Sequence, residues 1–78
     1  MNARTHPTVD WPALLNDLRR RGLRTGTIAE FAYLSTGNIR DYRLGVKCPN
    51  HAHGERIIAF WMSSTMQTRE QLPMRDMV

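Results

Sequence analysis

The sequence predicts an all-α protein, a compact bundle of four to five short helices. Three observations carry the expectation. Apolar residues recur at helical spacing in four separate stretches, those stretches open on capping residues and close on glycines or loops, and no run alternates in the β manner.

Residues 1–9 contain Pro7 and little periodicity, and are expected to form a flexible N-terminal arm. Asp10 is a good N-cap, because its carboxylate can accept from amides left unpaired at a helix start. Pro12 then falls in the first turn, where a missing N–H costs little. Trp11, Leu14, Leu15 and Leu18 stand at i, i+3, i+4 and i+7, one apolar helix face. Arg19, Arg20 and Arg21 put cations in the last turn, Gly22 supplies a left-handed residue to end it, and Leu23 gives the hydrophobic contact that follows. A second helix runs from near Thr25 to Ala32, with Ile28, Ala29 and Ala32 as its apolar stripe. Two starts compete for it, a Thr25 cap or a capping box of Thr27 with Glu30. Gly26 weakens that first turn by about 1 kcal/mol relative to alanine.

After a break at Tyr33–Leu34, Ser35 caps a third helix with Ile39 and Tyr42 on its buried face, and Gly45 stops it. Val46 to Asn50 is a loop, since Pro49 disfavours helix at Cys48. Asn50 caps a fourth helix through Gly54 to about Thr65, with Ile57, Ile58 and Trp61 inward. Residues 66–78 hold Pro73 and scattered methionines and are expected to form a C-terminal tail, leaving 10–65 as the folded domain.

Seventy-eight residues allow one domain at most. A chain of this length buries only about 60% of its unfolded surface, so its core is marginal and dimerisation would help. A hydrophobic share of 41% is nevertheless enough for a core and argues against general disorder. No stretch approaches the roughly 18 apolar residues of a membrane span, and no signal-peptide pattern opens the chain. The single Cys48 rules out an internal disulfide framework, so a reducing, cytoplasmic setting is expected. The net charge is +4, carried by ten arginines and one lysine. From Arg19 to Lys47 seven cations face only Glu30 and Asp41, a local +5. Such a concentration is the footprint of a phosphate-binding surface, with ordinary solubilising charge as the plainer account.

Two short helices joined by about three residues, the second opening on small polar residues, describe a helix-turn-helix. The segment from Gly22 to Gly45 resembles the Cro/phage-repressor (lambda-repressor-like) type. Ile28-Ala29-Glu30 matches that family's second-helix signature, Leu34-Ser35 the hydrophobic residue and N-cap before its recognition helix, and Ile39 and Tyr42 the two core positions. Gly45 followed by Pro49 matches the exit loop. One position departs: Tyr33 stands where the family usually has glycine, and tyrosine at positive φ is strained. Either the turn differs locally or packing stabilises Tyr33 there.

The resemblance implies a recognition helix, Ser35–Leu44, that lies in the DNA major groove. The base-reading candidates it implies are Thr36, Gly37, Asn38 and Asp41, with Arg40 added because a guanidinium matches guanine O6/N7. Asn38 can pair bidentately with adenine, Thr36 can offer its hydroxyl or methyl, Gly37 lets the backbone approach, and Asp41 can accept from cytosine or hold a cation. Phosphate contacts are expected from Arg24, Thr25, Ser35, Arg43 and Lys47, the helix start at Thr25 being physically suited to an anion.

Cys48, His51 and His53 form a C-x2-H-x-H cluster in the expected loop, with His6 elsewhere, but structural zinc sites want four ligands at paired spacings, so no metal or other cofactor is expected. No phosphate loop, nucleophile elbow or paired carboxylates point to catalysis, and no enzymatic activity is expected. Phe60 and Met62 lie off the core face of the fourth helix, and with Met66 they are the candidate dimer interface. No ligand is expected, because no sensor domain follows. The expectation is therefore a homodimeric, sequence-specific double-stranded DNA-binding transcriptional regulator, a Cro-like phage or prophage repressor on an inverted-repeat operator. The alternative is the same scaffold used to bind a protein, as an antitoxin or a phage protein on a host factor. An RNA binder shares the charge but lacks the sheet-borne stacking aromatics of common RNA modules.

Overall fold

Isolated helices shorter than about 12–15 residues are marginal in water, so helices of eight to ten residues must be held by their ends and by one another. The computed structural model describes residues 8–75. It is an all-α bundle of four helices, α1 (Trp11–Arg20), α2 (Thr25–Ala32), α3 (Thr36–Leu44) and α4 (His51–Thr65).

The starts follow the capping chemistry with one exception. Asp10 Oδ1 accepts from the Ala13 amide at 3.1 Å, Ser35 Oγ from the Asn38 amide at 3.1 Å, and Asn50 Oδ1 from the His53 amide at 2.8 Å. Helix α2 differs. Its N-cap is Arg24, in extended conformation, and no side chain caps it. Thr25 is therefore the first helical residue and not the cap, and the Thr27–Glu30 box does not form. The backbone supplies the start instead, with Ile28 N–H donating to the Arg24 carbonyl at 3.0 Å.

Three of the ends share one device. After α1 the amides of Gly22 and Leu23 return to the carbonyls of Arg19 and Leu18, after α2 those of Tyr33 and Leu34 to Glu30 and Ala29, and after α3 those of Gly45 and Val46 to Tyr42 and Asp41. Each is the paired 6→1 and 5→2 closure that needs a left-handed residue. Gly22 (φ 93°) and Gly45 (φ 79°) adopt that conformation freely, but Tyr33 adopts it too, at φ 58°. Its side chain is 82% exposed, so the turn is closed in the glycine manner and no packing compensates for the tyrosine.

The arm and tail expected to be loose are partly folded. Thr8–Val9 (β1) pairs antiparallel with Met74–Arg75 (β2), and the Asp10 amide donates to the Pro73 carbonyl at 2.9 Å. A capping box of Thr68 with Gln71 opens a short 3-10 turn, Arg69–Gln71, that delivers Leu72 into the core. The folded unit thus extends past 10–65 at both ends. The rest of the expected arm, including His6 and Pro7, and residues 76–78, including Met77, lie outside the described residues.

The core is built from Leu14, Leu15 and Leu18 of α1, Ile28, Ala29 and Ala32 of α2, Ile39 and Tyr42 of α3, and Ile57, Ile58 and Trp61 of α4, closed by Leu72. Trp61 is fully buried, and its indole N–H donates to Asp17 Oδ2 at 3.3 Å, so its polar edge does not go unpaired. Gly54 is buried under Trp11, where an added Cβ would stand 3.1 Å from the indole ring. That close approach explains a glycine inside a helix despite its cost in propensity.

Two predictions follow from these ends. Tyr33→Gly removes left-handed strain that no contact offsets and raises stability by about 1 kcal/mol in urea unfolding, whereas a loss of stability would show that Tyr33 is held by contacts after all. The second concerns the ion pair between Glu55 of α4 and Arg69 of the 3-10 turn. The hydrogen bond from Arg69 holds the Glu55 carboxyl below its usual value, opposed by desolvation and aided by the charges of Arg69 and His51. A depressed carboxyl stabilises the fold above its unfolded value and loses that contribution as pH falls through the folded one. The difference in stability between the wild type and Glu55→Gln is therefore flat near neutrality and shrinks in acid, and a pH-independent difference would contradict the assignment.

Candidate nucleic-acid interface

Burial of Ile39 and Tyr42 sets the rotation of α3. Residues at i, i+3 and i+4 share a helix face, so the side away from that pair carries Gly37, Arg40, Asp41 and Leu44; Gly37, Arg40 and Leu44 are exposed, as is Thr36 in the first turn. Asn38 and Arg43 lie half-buried on the flanks, and Asp41, paired with Lys47, is half-buried too. The helix is fixed at two further points. Ser35 caps its start, and the Tyr42 hydroxyl hydrogen-bonds His53 Nδ1 of α4 at 3.0 Å. Because the Ser35 oxygen accepts from the Asn38 amide, its own proton is left to donate outward. Across the bundle, Arg56 Nε donates to the Ala32 carbonyl at 2.7 Å and ties α4 to the end of α2.

The seven cations between Arg19 and Lys47 are not equivalent. Asp17 engages Arg21 at 3.1 Å and Arg20 at 3.5 Å, and Asp41 engages Lys47 at 3.6 Å. Among the described residues Arg19, Arg24, Arg40 and Arg43 have no ion partner. The Arg43 Nε is buried and lacks an acceptor. Uncompensated positive charge is thereby left at the α1–α2 junction and along α3. At the junction a shallow cavity of about 540 Å³, lined by Arg19, Gly22, Leu23, Arg24, Thr25 and Gly26, opens onto the uncapped start of α2. Exposed first-turn amides with two guanidinium groups beside them suit a phosphate.

Of the base-reading candidates, Thr36, Gly37 and Arg40 fall on the outward face. Asn38 is set to the side, and Asp41 holds Lys47 instead of standing free. Of the phosphate candidates, Arg24 and Thr25 sit together at the start of α2, Ser35 caps α3, Arg43 is half-buried, and Lys47 lies in the exit loop. Two exposed apolar residues were not anticipated, Leu44 at 59% and Val46 at 69%, at and beyond the end of α3.

The candidate dimer residues separate. Phe60 is half-buried and stacks on Phe31 of α2, centroids 5.1 Å apart and planes 16° from parallel. Met62 is half-buried against the core, and Met66 is 88% exposed. Phe31 itself is exposed and escaped the sequence reading, because it lies beside and not on the Ile28–Ala29–Ala32 stripe.

His51 and His53 do not lie in a loop, since they form the first turn of α4. There His53 accepts or donates to Tyr42, His51 is exposed, and Cys48 is exposed in the preceding loop. No group of three His, Cys, Asp or Glu among the described residues is placed to hold a metal ion, and no helix is long and apolar enough to cross a membrane.

No protein-family model, curated protein or solved structure matches the chain.

The double use of Ser35 gives a stability test. Ser35→Ala loses the cap and costs about 1 kcal/mol in thermal or urea unfolding, while Ser35→Asp keeps an acceptor for the Asn38 amide and stays near wild type. Equal losses in both variants would mean that the hydroxyl is not acting as a cap.

Proposed function

We propose that the chain is a sequence-specific double-stranded DNA-binding transcriptional regulator that lays the outward face of α3 in the major groove. The observation that carries the reading is the freedom of that face. Thr36, Gly37 and Arg40 have no structural duty, Arg40 is an unpaired guanidinium among them, and the side chains that hold α3 point the other way. A stretch of charge spent on solubility alone gives no reason for the cations left unpaired to cluster at a helix start and along one helix.

The division of labour follows. The α2 start with Arg24 and Thr25, the Ser35 hydroxyl, and Arg43 take backbone phosphates and set register, a contribution that falls steeply with salt. Lys47 joins them by leaving Asp41, at small cost because exposed pairs contribute at most about 1 kcal/mol. Arg40 reads guanine, Thr36 offers a hydroxyl or methyl, and Gly37 permits close approach. Asn38 reads from the flank and is the weaker candidate. A second copy, docked through the region of Phe60 and Met66 with Phe31 added, would set two α3 helices roughly 34 Å apart on an inverted repeat. Repression by covering a promoter, in a cytoplasmic setting, fits the resemblance to phage and prophage repressors.

A second reading has its own observation. Exposed Leu44 and Val46 at the end of α3 are unlike a DNA-facing surface and favour a protein partner on the same face. Selection from a random duplex library, with affinities repeated at several salt concentrations, separates the two. Enrichment of a palindrome with steep salt dependence supports the regulator. Weak, uniform binding that responds little to salt rejects it and turns attention to a protein partner.

Within the DNA reading the variants diverge. Arg40→Ala weakens the selected site by about 1–3 kcal/mol and relaxes preference at one base pair, with little effect on unrelated duplexes. Arg24→Ala weakens all duplexes alike and lowers the slope of log K against log salt by about 1. If gel-shift titrations show both variants behaving the same way, the assignment of roles is wrong.

A further inference from the structure

A second cavity, of about 540 Å³, lies between the β1–β2 pair and the exit from α3. That volume falls within the roughly 300–1,000 Å³ typical of small-molecule sites. Its apolar wall comes from Val9, Trp11, Pro12, Leu44 and Pro49, and its cations are Lys47 and Arg75. At the α1–α3 junction a Cβ on Gly45 would meet Pro12 Cγ at 3.7 Å, an ordinary van der Waals contact.

The charge balance of the wall decides what it can take. Among the described residues Asp10 is its one carboxylate, and that group already accepts from the Ala13 amide as the cap of α1. Arg75 has no ion partner among the described residues, and Lys47 is held only by the exposed contact to Asp41. Two available cations therefore border an apolar hollow. Two other cavities differ in kind. The one along α4 includes Arg69, which Glu55 already occupies, and the one at the α2 start is shallow and belongs to the phosphate surface described above.

We propose that this cavity is a binding site for a small amphipathic anion, an apolar or aromatic body carrying one carboxylate. The body rests on Trp11, Pro12 and Leu44, and the carboxylate meets Arg75 and Lys47. A guanidinium can hold a carboxylate by two parallel N–H···O bonds, which gives Arg75 the larger share. The expectation of no ligand rested on the lack of a separate sensor domain, and a hollow inside the bundle does not need one. Occupied, the site bridges the β1–β2 pair to the end of α3. The cavity shares Lys47 with the proposed phosphate surface, so its test is made without DNA.

The test uses the full isotope-labelled chain and three probes: phenylacetate, its uncharged counterpart 2-phenylethanol, and inorganic phosphate. Phenylacetate is expected to shift the Val9, Gly45 and Lys47 amides and the Trp11 indole saturably, at least tenfold more tightly than 2-phenylethanol. Phosphate is expected to leave the Trp11 indole and Val9 unmoved. Arg75→Gln, at an exposed strand position, is expected to weaken phenylacetate at least fivefold while the shifts of buried Trp61 confirm an intact fold. Absence of saturable shifts overturns the proposal. So does equal affinity for 2-phenylethanol, which would mark a merely greasy hollow, and so does full retention of binding in Arg75→Gln.

Discussion

Burial of Ile39 and Tyr42 is the constraint on which the functional reading depends. A nine-residue helix has no stable rotation of its own, and its orientation is dictated by what it gives to the core. Two side chains, one of them also hydrogen-bonded to His53, are enough to turn Thr36, Gly37, Arg40 and Leu44 outward as a set. Had the buried pair stood one residue later, the exposed set would have turned by about 100° with it. The cap at Ser35 and the reversal at Gly45 then fix where this face begins and ends.

The same economy governs the rest of the bundle. Twelve buried side chains are few for four helices, and the chain compensates at the helix ends. Three left-handed reversals, at Gly22, Tyr33 and Gly45, close α1, α2 and α3, and α3 packs on both α1 and α2. Asp17 performs two tasks at once, since it accepts the buried indole of Trp61 and also neutralises Arg20 and Arg21. One consequence is electrostatic. The carboxylates that serve the fold remove particular arginines from the free basic surface, and those left over between Arg19 and Lys47 mark the α2 start and α3.

Much of this was legible in the residues. Asp10, Ser35 and Asn50 carry their capping role in their chemistry, Gly22 and Gly45 theirs in lacking a Cβ, and the apolar spacing of α1 and α4 points to the side chains that are buried. What escaped has physical reasons. The β1–β2 pair has only two residues on each side and a single buried anchor, Leu72, too short for any period to show. The start of α2 is made by the Arg24 carbonyl, a backbone group with no residue signature, so the threonines drew the assignment instead. Histidines 51 and 53 were placed in a loop, although the Asn50 cap already fixes the helix to begin at 51. The stacking of Phe31 on Phe60 joins residues far apart in the chain, and nothing local announces it. At the candidate interface the residue types were legible and their availability was not. Only packing turns Asn38 aside, and only the geometry of the exit loop gives Asp41 to Lys47.

The most direct test of the central claim is to map amide and side-chain shifts of the labelled chain on adding a 20-base-pair duplex at low salt. If α3 presents its outward face to DNA, Thr36, Gly37 and Arg40 shift together with Arg24, Thr25 and Gly26, and raising the salt reverses both sets. Shifts confined to Phe31, Phe60 and Met66, or none at all, would contradict the account.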